Sequence, residues 1–105
     1  MSTQRMFGGK TKPGGTAWQP DPGGSAIFVD VDTTAGQFAE TPMYMTTLSG
    51  KSNMWATIGV TSIYEPTPTG FRVYIRWADG KPLTTDGAAT FGWCVNWLAI
   101  EYFPL

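Results

Sequence analysis

The sequence predicts an all-β domain, a β-sandwich of antiparallel strands. Residues 71–77, FRVYIRW, alternate strictly between apolar and polar side chains, as in a strand with one buried face. Turn signals rich in Gly and Pro separate several such runs at short intervals. No segment shows the 3.6-residue period of a helix of ordinary length. Together these observations indicate five or six strands, a number typical of a sandwich.

Four further segments are predicted to be strands. Residues 26–32 and 43–48 are rich in apolar, β-branched and aromatic side chains. Residues 54–64 alternate, and Gly59 within them indicates a bulge or a close approach of another backbone. Residues 93–103 are apolar at both odd and even positions, so we expect this strand to be buried on both faces.

The chain divides into two parts at residue 24. Residues 1–24 are rich in Gly and Pro and follow no period, so we expect an N-terminal arm or long loop. Residues 25–105 hold every predicted strand and form the β-sandwich domain. Within it, residues 78–92 form a polar loop with room for one helical turn at most. Trp18 is the exception in the arm, because a large aromatic ring in a flexible segment usually packs against another surface. We expect that surface to be a neighbouring protomer or an apolar patch of its own chain.

The composition restricts the possible partners. Only 14% of residues are charged, which suggests that another chain covers part of the surface. The net charge is −1 and Lys and Arg are scattered, so we expect neither nucleic acid nor an anionic membrane as a partner. Residues 1–15 lack the core of a Sec-type signal peptide, and no apolar run is long enough to span a membrane. We therefore expect a chain made as a soluble protein, in the cytoplasm, on a virion or exported by another route.

The residue types present argue against an enzyme. The chain has no histidine, the commonest general base and metal ligand. Its one cysteine, Cys94, lies in the apolar last strand and is expected to be a core residue rather than a nucleophile. The glycines do not follow the spacing of a phosphate-binding loop. The sequence therefore predicts a binding or assembly module that uses no catalytic residue, metal or cofactor.

Two motifs in the second half of the chain carry a family resemblance. One is the turn Pro68-Thr69-Gly70-Phe71, which leads into a strand, and the other is the closing segment 93–102, WCVNWLAIEY. With these motifs, residues 42–102 resemble the H-type lectin domain, known from snail agglutinins and the C-terminal domain of discoidins. The resemblance implies a six-stranded antiparallel sandwich that forms a homotrimer. It also implies binding of galactose or N-acetylgalactosamine on cell-surface glycans, in clefts between protomers.

The resemblance also locates the family's sugar-binding residues. The family's arginine falls at about Thr57 and Ile58, and its Trp-His pair falls near Trp77-Ala78-Asp79, where no histidine is present. A sugar would therefore be held here by partly different side chains. The alternative hypothesis is a non-catalytic trimerisation or tip domain of a phage tail fibre or bacterial surface assembly, which the Gly/Pro-rich arm would suit.

Sugar sites combine an aromatic face with a few fixed polar groups. On that basis the predicted ligand-binding residues are Trp77, Asp79, Arg76, Asp86 and Trp18. Alternation equally allows Trp77 to end the core face of its strand. Asp79 and Asp86 each precede a glycine, so a turn is the favoured interpretation for both.

Asp30 and Asp32 form a further acidic pair. They lie two residues apart on a predicted strand and therefore share one face. Solvated carboxylates on an outer strand are the favoured interpretation. The alternative is a site for Ca²⁺ or for a sugar hydroxyl.

Overall fold

The chain folds into two antiparallel sheets that pack face to face. The computed structural model describes residues 2–104 and contains 47% strand and 12% helix. The elements are β1 (Ser2–Lys10), β2 (Gln19–Pro20), β3 (Ala26–Asp32), β4 (Met43–Ser49), β5 (Thr57–Ile58), β6 (Tyr64–Thr67), β7 (Gly70–Trp77), α1 (Thr85–Thr90) and β8 (Cys94–Pro104). The predicted all-β sandwich is confirmed, with eight described strands in place of six. Each predicted segment, 1–24 and 25–105, includes one terminal residue outside the described range.

Each sheet is built around one long strand. The first sheet has the order β1-β8-β4, and the second has the order β2-β3-β7-β5 with β6 also paired to β7. In the second sheet the register sets Asp30 of β3 opposite Arg72 of β7, and Tyr64 of β6 opposite Arg72 on the other side. This row of three residues crosses three strands and matters for the site described below.

The core lies between the sheets. Alternate residues of each long strand point inward, and Tyr44 of β4 meets Phe71 of β7 across the interface, with 4.5 Å between ring centroids. Burying one such apolar side chain contributes about 1.5–3 kcal/mol. The inward residues that are less than 5% exposed include Ile27, Val29, Val31, Phe71, Val73, Ile75, Val95 and Ala99.

The expected N-terminal arm is wrong over Ser2–Lys10, because these residues form β1 and pair with β8 along their whole length. Glycine hides the alternation: Gly8 and Gly9 carry no side chain, and a Cβ on Gly9 would lie 2.8 Å from Cζ2 of Trp97. Trp18 is 8% exposed and belongs to the core of its own chain. The ring therefore docks within the chain.

The strand predicted over residues 54–64 is present only at Thr57–Ile58 and at Tyr64, where β6 begins, and is wrong elsewhere. A 3-10 turn covers Met54–Ala56, and β5 ends after two residues. Gly59 has a φ of 112°, and a Cβ there would lie 2.5 Å from the carbonyl oxygen of Tyr74. The close backbone approach expected at Gly59 is thus confirmed. Because the amide of Ser62 donates to the carbonyl of Gly59 at 3.1 Å, a turn replaces the rest of the strand.

The last strand is buried on one face only within this chain. Val95 and Ala99 are fully buried, whereas Leu98 and Ile100 are partly exposed and Tyr102 is 47% exposed. The prediction of burial on both faces is therefore wrong for the single protomer. The hydrophobicity of a strand indicates that its side chains are buried, but it does not indicate whether residues of the same chain or of another chain bury them.

The loop before β8 contains the six-residue helix α1, slightly more than the single turn expected. The hydroxyl of Thr84 accepts a hydrogen bond from the amide of Gly87 at 3.0 Å and caps its first turn. Within residues 2–104, no helix has the length and apolarity needed to cross a membrane.

Candidate functional site

Two of the predicted ligand-binding residues pack inside the fold. Trp77 is partly buried and meets Phe91 and Trp93 edge-on, with ring centroids 6.0 and 5.5 Å away. Trp18 lies in the core. Trp77 therefore ends the core face of β7, which was the alternative interpretation of its alternation.

The other three predicted residues are exposed but are not brought together. The carboxylate of Asp79 accepts a hydrogen bond from the amide of Lys81 at 2.9 Å and closes a turn. Asp86 lies in the first turn of α1, where the helix dipole favours an acid. Arg76 points to the outer face of β7, away from Trp77, and lines a cavity of about 140 Å³ together with Tyr64 and Tyr74. The other four predicted residues do not line this cavity.

The outer face of the second sheet carries a larger cluster, which adjoins Arg76 through Tyr64 and Tyr74. We call it the acidic-aromatic face, and it consists of Phe28, Asp30, Asp32, Tyr64, Glu65, Arg72 and Tyr74. The ring of Tyr74 contacts that of Phe28 at a centroid distance of 5.5 Å and that of Tyr64 at 4.9 Å. Antiparallel pairing places these residues of β3, β6 and β7 on one side of the sheet.

An arginine–aspartate pair lies at the centre of this face. The Nε and Nη2 atoms of Arg72 donate to the two carboxylate oxygens of Asp30 at 2.6 and 2.9 Å, a bidentate arrangement. Nη1 of Arg72 donates to the hydroxyl of Tyr74 at 3.2 Å, and the guanidinium lies 4.2 Å from the ring centroid of Phe28. These contacts fix the arginine, so its charge and the neighbouring rings have defined positions.

A cavity of about 290 Å³ opens beside this pair, close to the lower size limit of small-molecule pockets. Its polar wall combines carboxylates, a guanidinium and hydroxyl groups, which together accept and donate hydrogen bonds. The polar residues that line it are Asp30, Asp32, Glu65, Thr67, Thr69 and Arg72.

Backbone strain is present at the same cavity. Glu65 has a φ of 52°, in the left-handed region that non-glycine residues rarely adopt. The pairing between β6 and β7 is irregular from Tyr64 to Thr67, on either side of this residue. Residues in such strained conformations are concentrated at ligand sites. They persist only where the surrounding structure holds them in place.

Two carboxyl groups of this face, those of Asp30 and Asp32, have lowered pKa values. The hydrogen bond from Arg72 lowers the pKa of Asp30 below its usual value, and that pair raises the pKa of Arg72. The backbone amide of Thr34, which donates to Asp32 at 2.9 Å, lowers the pKa of Asp32. Both carboxylates are therefore ionised at neutral pH and serve as charged hydrogen-bond acceptors.

The face offers both hydrogen-bonding groups and apolar contacts. Ionised carboxylates accept hydrogen bonds from hydroxyl groups, Arg72 donates, and the aromatic edges offer apolar contact. Across residues 2–104, no group of three or more Cys, Asp or Glu side chains is placed to hold a metal ion.

A second outer face has the opposite chemistry. On the first sheet, Met43, Met45 and Met6 are 47%, 45% and 63% exposed. The pairing of β1 and β4 with β8 places these methionines beside the outward residues of β8. We call this the apolar face, and it consists of Met6, Met43, Met45, Leu98, Ile100 and Tyr102.

No model of a known protein family matches the chain, and no curated protein is significantly similar to it in sequence.

Part of the acidic-aromatic face is predictable from the sequence. Alternation puts Asp30 and Asp32 on one side of a strand, with a sugar hydroxyl as one possible ligand. Arg72, Tyr74 and Tyr64 are not among the predicted members of this face. The available signal was the alternation of β7, which puts Arg72 and Tyr74 on its outer side, but the partner strand could not be read from the pattern.

Proposed function

We propose that this chain is a non-catalytic carbohydrate-binding module whose sugar site is the acidic-aromatic face. The observation that carries the proposal is the bidentate Arg72–Asp30 pair next to the contacting rings of Phe28 and Tyr74, beside a cavity of about 290 Å³. Sugar rings present apolar C–H groups on one side and hydroxyls around the edge. A site for them needs an aromatic surface and oriented charged or polar groups in one place.

The resemblance to H-type lectins supports the same class of ligand. Galactose and N-acetylgalactosamine are the sugars it implies, so they are the first to test. The proposal differs from the family's arrangement in its location, because the face lies on one protomer and uses residues of β3, β6 and β7.

A glycan array with the purified chain, with and without Ca²⁺, tests the class of ligand. We expect a defined set of bound glycans. Calorimetric titration of the best monovalent sugar then tests the site: Tyr64→Ala should weaken binding about five- to thirtyfold, since a stacked aromatic side chain contributes roughly 1–2 kcal/mol.

Tyr102→Ala is the matched control. Tyr102 is 47% exposed and Tyr64 is 48% exposed, but they lie on opposite sheets. We expect the control to bind the sugar like the parent chain. A blank array from the folded protein, or equal affinity of the two variants, would contradict the proposal.

A second observation favours self-assembly, with or without sugar binding. The apolar face presents three exposed methionines and Tyr102 side by side, and patches of this kind mark interaction surfaces. The low charge of the chain fits burial of this face by further copies. We propose that it forms a homo-oligomer, a trimer by the family resemblance, and that it serves as an assembly or tip domain if sugar binding is absent. Sedimentation velocity at micromolar concentration is expected to give an oligomer; a monomer would refute this.

A further inference from the structure

A second cavity, remote from the acidic-aromatic face, has a positively charged wall. It lies at the end of the first sheet where β1 and β4 stop and β8 begins, and its volume is about 390 Å³. We call it the lysine cavity. Its polar residues are Lys10, Ser49, Lys51 and Asn96, and Cys94 contributes to its floor.

The charge of this cavity is unbalanced. No acidic residue lines it, and neither Lys10 nor Lys51 takes part in an ion pair within residues 2–104. The chain as a whole carries a net charge of −1, so the positive wall is a local feature. Two lysines that line one concave space raise the local concentration of anions.

The turn that carries Lys51 is held rigidly. Its backbone amide donates to the carbonyl of Phe91 at 2.8 Å, and the indole of Trp93 donates to the carbonyl of Ser52 at 2.8 Å. The stem of Lys51 packs beside Gly92, where a Cβ would lie 3.4 Å from Cγ of the lysine, an ordinary van der Waals distance. The lysine therefore starts from a fixed backbone, which reduces the entropy lost when it binds a ligand.

The floor of the cavity offers oriented polar atoms. The side-chain amide of Asn96 donates to the hydroxyls of Thr47 and Ser49. With its two N–H groups engaged, the carbonyl oxygen of Asn96 is the atom left to accept a hydrogen bond from a ligand. The cavity thus combines positive charge with an acceptor for a hydroxyl group.

We propose that the lysine cavity binds an acidic sugar of the uronic acid class. Lys10 and Lys51 hold the carboxylate, and Asn96 accepts a hydrogen bond from a ring hydroxyl. The assignment of the ligand as a sugar rests on the proposed function, whereas the residues involved are separate from the acidic-aromatic face. A chain with both sites could contact a neutral and an acidic sugar of one glycan.

Titration of the ¹⁵N-labelled full chain with sodium glucuronate tests this proposal, with glucose and sodium sulfate as parallel probes. We expect glucuronate to move the amide signals of Gly50, Lys51 and Asn96 in a saturable way, and glucose and sulfate to move them much less. Lys10→Gln and Lys51→Gln should each raise the Kd for glucuronate about fivefold, since each removes one of two attractive charges. Lys12→Gln and Lys81→Gln are matched controls, because these exposed lysines do not line the cavity.

Three outcomes would overturn the proposal. The first is the absence of shifts at the cavity, and the second is equal loss of affinity in the control variants. The third is an equal response to sulfate, which would make this a general anion site and not a sugar site. If this proposal fails, the proposed function can still be judged on its own. That function is tested with neutral sugars and with Tyr64→Ala, which lies on the other sheet.

Discussion

Two buried tryptophans differ in how their indole N–H groups are satisfied. Trp93 is fully buried, and its Nε1 donates to the carbonyl of Ser52 at 2.8 Å. Trp18 is 8% exposed, and its buried Nε1 has no partner among the described residues. A buried donor without a partner lowers stability, whereas a satisfied donor makes a modest positive contribution.

Replacing each of these tryptophans by phenylalanine isolates the hydrogen bond. Both changes remove similar volume from the core, but Trp93→Phe also leaves the Ser52 carbonyl without its donor. We expect Trp93→Phe to lower the free energy of unfolding by about 1–3 kcal/mol more than Trp18→Phe. Urea denaturation of both variants and the parent measures the difference. Equal losses would show that the N–H of Trp18 is satisfied in solution.

Glu101 is also a buried polar group, and its carboxylate accepts hydrogen bonds from three donors. Its carboxylate accepts from Arg5 at 3.1 Å and from the backbone amides of Ala39 and Glu40 at 2.8 and 3.0 Å. The hydrogen bonds from the amide of Glu40, from Arg5 and from the amide of Ala39 hold the pKa of Glu101 below its usual value. Glu101 lies on the inward face of β8, so its carboxylate connects β1, β8 and the segment before β4.

The lowered pKa of Glu101 predicts part of the acid sensitivity of the fold. A carboxyl group with a lower pKa in the folded state contributes stability above its unfolded pKa, and that contribution is lost as the pH falls through the folded pKa. Glu101→Gln should therefore lower stability at pH 7 and flatten the decline between about pH 5 and pH 2. Denaturation curves across this range measure the slope. A variant whose slope matches the parent would rule out this role.

The Asp30–Arg72 pair shows how far the sequence alone reaches. Alternation places Asp30 and Asp32 on one face of β3, and Arg72 and Tyr74 on one face of β7. Whether the two faces coincide depends on which strands are neighbours and on their register, and a shift of one residue would reverse it. Both are set by packing between distant parts of the chain, which no local pattern encodes.

Among the elements, the long periodic strands were predictable and β1 was not. The bounds of β3 agree with the prediction, and those of β4 and β7 differ by one residue. β1 escaped detection because Gly8 and Gly9 interrupt its pattern where Trp97 needs space. The ring of Trp97 on β8 thus explains the absence of a side chain at Gly9, and only the structure shows the two strands side by side.

Gly9→Ala tests this fit between β1 and β8. A Cβ at this position would lie 2.8 Å from Cζ2 and 2.9 Å from Cε2 of Trp97, so the ring or the strand must shift. We expect a loss of about 1–3 kcal/mol in the free energy of unfolding. Gly15→Ala is the matched control, because its Cβ would meet only the flexible side chain of Lys12. Equal stability of both variants, measured by thermal denaturation, would contradict close packing of β1.

At the scale of the whole molecule, the sandwich separates two kinds of surface. The acidic-aromatic face lies on the outside of one sheet, and the apolar face lies on the outside of the other. Burial of the apolar face by further copies would leave the acidic-aromatic face of every copy open to solvent. An assembly would then present several identical sugar sites, and multivalent contact strengthens attachment to a surface without any new interaction.

Met45→Lys separates assembly from sugar binding. Met45 is 45% exposed on the apolar face, beside Leu98 of β8, so a lysine is tolerated in the free protomer but leaves a charge in an apolar interface. We expect sedimentation to show a monomer and the signal on a glycan array to fall about a hundredfold or more, as avidity is lost. Calorimetric affinity for a monovalent sugar should stay at the parent value, because the acidic-aromatic face is on the opposite sheet. If the calorimetric affinity fell as well, the sugar site would have to include residues from two protomers, and its location on one face would be wrong.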